Sequence, residues 1–240
     1  MATTLPPPVH SSRPRPVAPM WHTVVLAGLF LLLALGGARL QHRAAAHGPD
    51  LPAAQNPTVL YLSLIAMQWG LVYFVWKAGL RRQGVTLREV IGGRWTNARD
   101  VAVDLGLALG VWGLWTGISH GADHWLGADH AASVRSLLPR QPLDIALWIA
   151  LSISAGFSEE LVFRGYFQRQ FHALTGSAAV ALGLQSLLFG ISHGYQGLRA
   201  CLMISVYGLL FGALALWRKS LRPGMAAHAW TDIAAGLLRL

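Results

Sequence analysis

Three ionisable side chains stand close together in a strongly apolar part of this 240-residue chain. Glu159, Glu160 and Arg164 follow the run 145–157, which is apolar enough to enter a membrane. A charged side chain at the centre of a bilayer costs about 2.5–3.5 kcal/mol on insertion scales, so ionisable groups at that depth are usually functional. This cluster is therefore the first candidate for chemistry.

The spacing of the three groups predicts different roles for the two carboxylates. On a helix, Glu160 and Arg164 stand at positions i and i+4, so they share a face and can form an ion pair. Glu159 lies about 100° around the helix from Glu160 and lacks that partner. We therefore predict that Glu160 and Arg164 support the site structurally, whereas Glu159 acts as a general base.

A histidine is predicted to lie level with Glu159. The Ala-Leu-Thr-Gly stretch at 173–176 predicts the turn of an antiparallel helix hairpin. At 1.5 Å per residue, Glu159 and His193 lie roughly 22–26 Å from that turn on its two arms. The polar stretch 164–172 of the first arm indicates that the tip projects into the cytoplasm, which leaves both groups a short way below the surface.

A second histidine comes from the last apolar segment. His228 and Asp232 stand at i and i+4 near the start of that segment, after the break at Pro223–Gly224. A lone histidine within a membrane is more often a packing residue than a catalyst. Polar groups at a common depth on three apolar segments are harder to explain structurally, so we predict one shared site.

These residues resemble the three motifs of the CPBP family of membrane proteins, which includes type II CAAX prenyl endopeptidases and bacteriocin-processing or immunity-associated proteins. The motifs are Glu159-Glu160-x-x-x-Arg164, Phe189-x-x-x-His193 and His228-x-x-x-Asp232, in that order. The resemblance covers roughly 143–238, and the first three apolar segments match only in being hydrophobic. The third motif of the family often ends in Asn, where this chain has Asp232.

The resemblance implies peptide-bond hydrolysis at the membrane. It implies that Glu159 and His193 activate a water, and that His228 and Asp232 stabilise the oxyanion. It implies further that Arg164 is the structural partner of Glu160.

A metal-dependent version of the site stays open. The four residues Glu159, His193, His228 and Asp232 form a nitrogen-and-carboxylate set that could hold zinc and a water. The sequence lacks a His-Glu-x-x-His signature, so it does not decide between zinc and no cofactor. We favour the metal-free glutamate mechanism.

A second group of candidate metal ligands lies in the predicted loop 120–142. The loop contains His120, Asp123, His124, Asp129 and His130, of which His120 and His124, at i and i+4, are the candidate ligands. We favour a solvated loop that uses these polar residues in turns and caps.

The composition indicates an integral membrane protein. The chain is 54% hydrophobic and only 12% charged, with a mean hydropathy of +0.44, whereas a soluble domain carries about 25% charged residues. Seven segments approach the roughly 20 residues that a membrane helix needs: Trp21–Leu40, Pro57–Trp76, Val101–Ser119, Leu143–Phe163, Ser177–His193, Leu198–Trp217 and Pro223–Leu238. We therefore predict an all-α, polytopic transmembrane bundle of about seven spans, with a polar active-site cavity open to the cytoplasm.

The basic residues predict an orientation. With seven spans, one side holds Arg13 and Arg15 and the basic loops 77–99 and 218–222, and the positive-inside rule makes that side cytoplasmic. This asymmetry accounts for the net charge of +9. Nucleic acid is not expected as a partner, because no basic stripe with interleaved aromatic residues is present.

We divide the chain into three parts. Residues 1–19 are predicted to be a disordered tail, 20–142 to be N-terminal membrane helices and loops, and 143–240 to be the CPBP-like catalytic core. The first apolar segment and the small residues at 36–38 could mimic a signal peptide with its cleavage region. We favour a retained membrane helix, because more spans follow.

The sequence thus predicts a multi-pass intramembrane endopeptidase of the plasma membrane. Its partners would be the lipid bilayer and a prenylated or otherwise membrane-tethered protein or peptide. Two alternatives stay open. One is a non-catalytic immunity or scaffold protein of the same fold. The other is a proton-coupled transporter, because carboxylates and histidines also build proton relays, although the chain has no visible internal repeat.

Overall fold

The computed structural model describes residues 14–47, 56–127 and 138–238. Within these ranges the regular structure is helical, apart from one isolated bridge between Gly92 and Ser220. The α-helices are α1 (Met20–His47), α2 (Pro57–Phe74), α3 (Leu87–Ile91), α4 (Ala98–Leu126), α5 (Pro142–Glu159), α6 (Gln168–Thr175), α7 (Ala178–Ser192), α8 (Leu198–Arg218) and α9 (Arg222–Leu238). The predicted all-α bundle is confirmed.

Five helical segments are long and apolar enough to cross a membrane. They are Met20–Leu40, Pro57–Gln83, Ala98–Trp125, Pro142–Thr175 and Leu198–Arg218. The other two predicted spans fall on α7 and α9, which have 15 and 17 residues. Both helices are shorter than the roughly 20 residues that a full crossing needs.

The segment before α1 is packed into the protein. Residues 1–13 of the predicted tail, Arg13 included, lie outside the described residues. In contrast, Val17 and Ala18 are buried, and their backbone N–H groups donate to Gln170 Oε1 at 2.8 and 3.1 Å. Gln170 Nε2 donates in turn to the carbonyl of Ala18 at 2.9 Å. This end of the predicted tail is therefore ordered by a buried amide.

The predicted hairpin forms at its predicted turn. α6 ends at Thr175, and Gly176 takes the left-handed conformation (φ 71°) that ends a helix without a Cβ clash. The polar stretch 164–172 of the first arm is not a water-facing surface, because Arg164, Gln168 and Gln170 are all buried. Within the bundle, Gln168 donates to Gly212 O, Gln170 donates to Ala18 O, and Arg164 lies at ion-pair distance from Glu160.

Glycines let the helices that carry the site approach closely. A Cβ on Gly156 of α5 would lie 2.7 Å from the backbone N of Ala229 on α9. A Cβ on Gly190 of α7 would collide with Ser205 on α8. Trp148 of α5 also donates its indole N–H to the carbonyl of Asp232 at 2.9 Å. These contacts hold α5 against α9 and α7 against α8.

Both basic loops lie at one end of the bundle. Leu221 donates its backbone N–H to Ile91 O at 2.8 Å, beside the Gly92–Ser220 bridge. Arg169 of α6 reaches the same place and donates to Glu89 O at 3.0 Å and to Val90 O at 2.8 Å. The loops 77–99 and 218–222 therefore share an end with the α6–α7 turn, as the sequence predicts.

Candidate active site

The first motif lies on a π-helical segment, Glu160–Phe167, inserted between α5 and α6. Gln168 closes the segment by donating its backbone N–H to Phe163 O, five residues back. Gly165 makes room for the docked α3, because a Cβ there would collide with Val90 and lie 3.0 Å from Leu221 Cδ1. Single π turns within α-helices are frequent at functional sites.

Glu160 and Arg164 form the predicted ion pair. Arg164 Nη1 lies 3.1 Å from Glu160 Oε1, and both side chains are almost completely buried. The Arg164 guanidinium also lies 4.3 Å from the centre of the Phe189 ring, a cation–π distance. Each of these two buried groups has the other as its charge partner, so neither is left as an unpaired charge inside the protein.

The same glutamate holds the third-motif histidine. His228 Nδ1 lies 3.0 Å from Glu160 Oε1. An ionised carboxylate only accepts, so Nδ1 carries the proton in this contact and Nε2 is left facing the other way. There Nε2 lies 3.7 Å from Glu159 Oε2 and 3.8 Å from Asp232 Oδ2. One imidazole thus connects all three carboxylates.

The carboxylates of the site differ in solvent exposure. The side chains of Glu159 and Asp232 are 26% and 36% exposed, whereas that of His228 is 6% exposed. Glu159 and Asp232 can therefore meet a substrate or water that reaches the site. The His228 ring is enclosed by aromatic rings, with Tyr207 at 5.2 Å, Phe211 at 6.0 Å and Phe189 at 6.3 Å between centroids.

His193 ends α7 on the other side of Phe189. Its ring centroid lies 4.9 Å from that of Phe189. Its Nδ1 lies 2.9 Å from the carbonyl of Phe189 and 3.2 Å from Ser192 Oγ. Because the carbonyl can only accept, Nδ1 is the donor and Nε2 keeps its lone pair. Among the described residues, no carboxylate lies within ion-pair distance of His193.

The structure therefore brings most of the predicted site residues together. Glu159, Glu160, Asp232 and His228 form one contact cluster, and Arg164 joins it through Glu160. His193 shares only the Phe189 wall with that cluster. The two aromatic residues of α8 that line the site, Tyr207 and Phe211, are not identified from the sequence. Their i, i+4 spacing on one helical face is the signal that could have indicated them.

The described residues do not form a metal site. No group of three or more His, Cys, Asp or Glu side chains in this part of the chain is arranged to hold a metal ion. The two candidates of the predicted loop, His120 and His124, lie on α4 instead, where His120 contacts Thr116 O at 3.0 Å. Asp129 and His130 lie outside the described residues.

Residues 141–234 match a family model, Rce1-like, described as type II CAAX prenyl endopeptidase Rce1-like. The match agrees with the resemblance of this segment to the CPBP family. The segment contains all six predicted site residues and runs from the start of α5 into α9. No curated protein and no solved structure matches the chain. At the level of the family, the Rce1-like segment is that of a membrane protease, and the helices before it lie outside the match.

Proposed function

We propose that this protein is an intramembrane endopeptidase that hydrolyses a peptide bond in a prenylated or otherwise membrane-tethered protein or peptide. The observation that carries the proposal is the double engagement of His228, which is anchored by buried Glu160 on one nitrogen and faces exposed Glu159 and Asp232 with the other. The match to the type II CAAX prenyl endopeptidase model supports the substrate class.

In the proposed reaction, Glu159 takes a proton from a water, with the free Nε2 of His193 as the second group that orients it. The hydroxide attacks the scissile carbonyl carbon and forms a tetrahedral oxyanion. Collapse of this intermediate breaks the C–N bond, and the proton passes from Glu159 to the leaving nitrogen. Protonated His228 donates a hydrogen bond from Nε2 to the oxyanion. A donor placed where negative charge develops lowers the activation barrier.

Glu160 and Arg164 act through His228. Glu160 holds Nδ1 at 3.0 Å and thereby aims Nε2 at the reacting groups. Arg164 holds Glu160 in place by pairing with the same oxygen at 3.1 Å. This is the logic by which a carboxylate orients an imidazole in other hydrolytic sites. Glu160 is therefore a positioning residue, and Glu159 is the base.

The test is hydrolysis by the full-length protein in liposomes, with a quenched fluorescent peptide that ends in a farnesylated CAAX sequence. We expect Glu159→Gln and His193→Ala to lower kcat by about 100-fold or more, the usual contribution of a general base. Glu89→Gln is the matched control, because Gln can keep the capping contact that Glu89 makes with Thr86 on α3.

Two outcomes would contradict the proposal. Full activity of Glu159→Gln would remove the assigned base. Absence of cleavage by the wild-type protein, on prenylated and on unprenylated membrane-anchored peptides alike, would favour the non-catalytic scaffold instead. Inhibition by a chelator with rescue by zinc would replace the metal-free mechanism by the metal-dependent one.

A further inference from the structure

The site as described is poor in hydrogen-bond donors. Glu159 and Asp232, when ionised, only accept hydrogen bonds. Arg164 is buried against Glu160 and Phe189, and His228 uses Nδ1 on Glu160. This leaves His228 Nε2, which faces two carboxylates that compete for its proton. A tetrahedral oxyanion formed here would need a further donor.

The hydroxyl of Tyr195 is an uncharged hydrogen-bond donor near His193. Tyr195 lies on the short 3-10 turn Gly194–Gln196 between α7 and α8, two residues after His193. Its ring centroid lies 6.2 Å from that of His193. The residue is 37% exposed, so a bound peptide could reach it.

The hydroxyl of Tyr195 keeps its proton and is free to donate it. Burial, and then the negative charges of Glu159 and Asp232, raise the pKa of Tyr195 above its ordinary value, against the hydrogen bond from Gln196. Gln196 Nε2 donates to the hydroxyl at 2.9 Å. Among the described contacts the hydroxyl donates to none, so its proton is uncommitted.

Helix α1 holds the turn in position, although α1 lies outside the family match. A Cβ on Gly37 would lie 2.9 Å from Tyr195 Cβ, and one on Gly194 would lie 3.3 Å from Ala34 O. The backbone of α1 therefore packs directly on the turn. The preceding Gly36 faces open space, with nothing within 4 Å of its Cβ position.

We infer that the Tyr195 hydroxyl donates a hydrogen bond to the oxyanion formed at the scissile carbonyl, and that Gly37 of α1 positions it. The inference rests on the proposed peptidase function. Tyr195 is then a catalytic residue supplied from the turn after the second motif. It contributes in the transition state and not to binding of the substrate, because the substrate carbonyl carries little charge.

The first test compares Tyr195→Phe with Tyr73→Phe, a change at an exposed tyrosine on α2. The assay is the cleavage of the farnesylated peptide by the full-length protein in liposomes. We expect Tyr195→Phe to lower kcat on the order of 100-fold, as loss of one oxyanion donor does, with KM changed by less than about threefold. An unchanged kcat, or an effect confined to KM, would overturn the inference.

The second test uses binding and needs no turnover. A peptide with a phosphinate in place of the scissile amide mimics the tetrahedral anion, and the same peptide with a non-hydrolysable amide mimics the substrate. Tyr195→Phe should weaken the phosphinate peptide by about tenfold or more and leave the other peptide unaffected. Equal effects on the two peptides would point to a merely structural tyrosine and contradict the inference.

The third test addresses positioning. Gly37→Ala should displace Tyr195 and lower kcat, whereas Gly36→Ala adds the same methyl group to the same helix in open space and should leave kcat unchanged. Equal rates for the two variants would overturn the role of Gly37. The assay also separates this inference from the proposed peptidase function. If the wild-type protein cleaves the peptide and Glu159→Gln does not, the peptidase function holds, and an unchanged rate in Tyr195→Phe would contradict only the role of Tyr195.

Discussion

At the level of single residues, the two adjacent glutamates differ in what surrounds them. Glu160 is buried between Arg164 and His228, whereas the side chain of Glu159 is about a quarter exposed and lies 3.7 Å from His228 Nε2. The i, i+4 spacing predicts the pair of Glu160 with Arg164. It does not reveal the contact of Glu160 with His228, which joins positions 68 residues apart and depends on the packing of α5 against α9.

The burial of Glu160 leads to a stability prediction. Glu160→Ala removes the carboxylate partner of buried Arg164, and breaking a buried pair by removing one partner costs about 3–5 kcal/mol. We expect a clear fall in the thermal midpoint of the detergent-solubilised protein. Glu160→Gln keeps an oxygen near both partners and should fall less. Glu159→Ala, one position away and partly exposed, should unfold near the wild-type temperature, so equal midpoints for the two alanine variants would refute the assignment.

At the level of elements, helix positions and the hairpin turn follow from the sequence, because apolar runs and a Gly after the last helical residue are local signals. The π segment does not follow from the sequence. It depends on the docking of Val90 and Leu221 onto Gly165, which are contacts between distant parts of the chain. The burial of Gln168 and Gln170 was missed for the same reason: their partners, Gly212 and Ala18, lie on other segments.

The packing of α7 on α8 leads to a second stability prediction, with a control on the same helix. A methyl group at Gly190 would collide with Ser205 and with the carbonyl of Cys201, whereas at Gly183 it would meet nothing within 4 Å. Overpacking a well-packed interior costs about 1–3 kcal/mol. Gly190→Ala should therefore lower the thermal midpoint and also the peptidase rate, since His193 ends α7 three residues later. Gly183→Ala should leave both unchanged, and an equal loss in Gly183→Ala would contradict the role assigned to the contact of Gly190 with Ser205.

At the level of the whole molecule, charge is distributed unevenly between the two ends of the bundle. The end joined by the Gly92–Ser220 bridge carries the basic residues of both adjoining loops: Lys77, Arg81, Arg82, Arg88, Arg94, Arg99, Arg218, Lys219 and Arg222. At the opposite end, Arg199 at the start of α8 pairs with Asp123 near the end of α4 at 2.7 Å. The opposite end thus carries fewer basic residues, and one of them, Arg199, is paired with a carboxylate. The positive-inside rule therefore predicts that the bridged end faces the cytoplasm.

Cysteine labelling of cells tests this orientation, because Cys201 is the single cysteine of the chain. In a Cys201→Ser background, Arg88→Cys puts a thiol on exposed α3 at the basic end, and His124→Cys puts one on an exposed position at the other end of α4. A membrane-impermeant maleimide added to intact cells should label His124→Cys. It should label Arg88→Cys only after the membrane is opened, since transfer of the basic loops across the bilayer is disfavoured. In the predicted topology, the end of the bundle that holds His193 and the Tyr195 turn faces away from the cytoplasm, against the expectation of a cavity open to the cytoplasm. The reverse labelling pattern would invert the topology and would turn that end toward the cytoplasm.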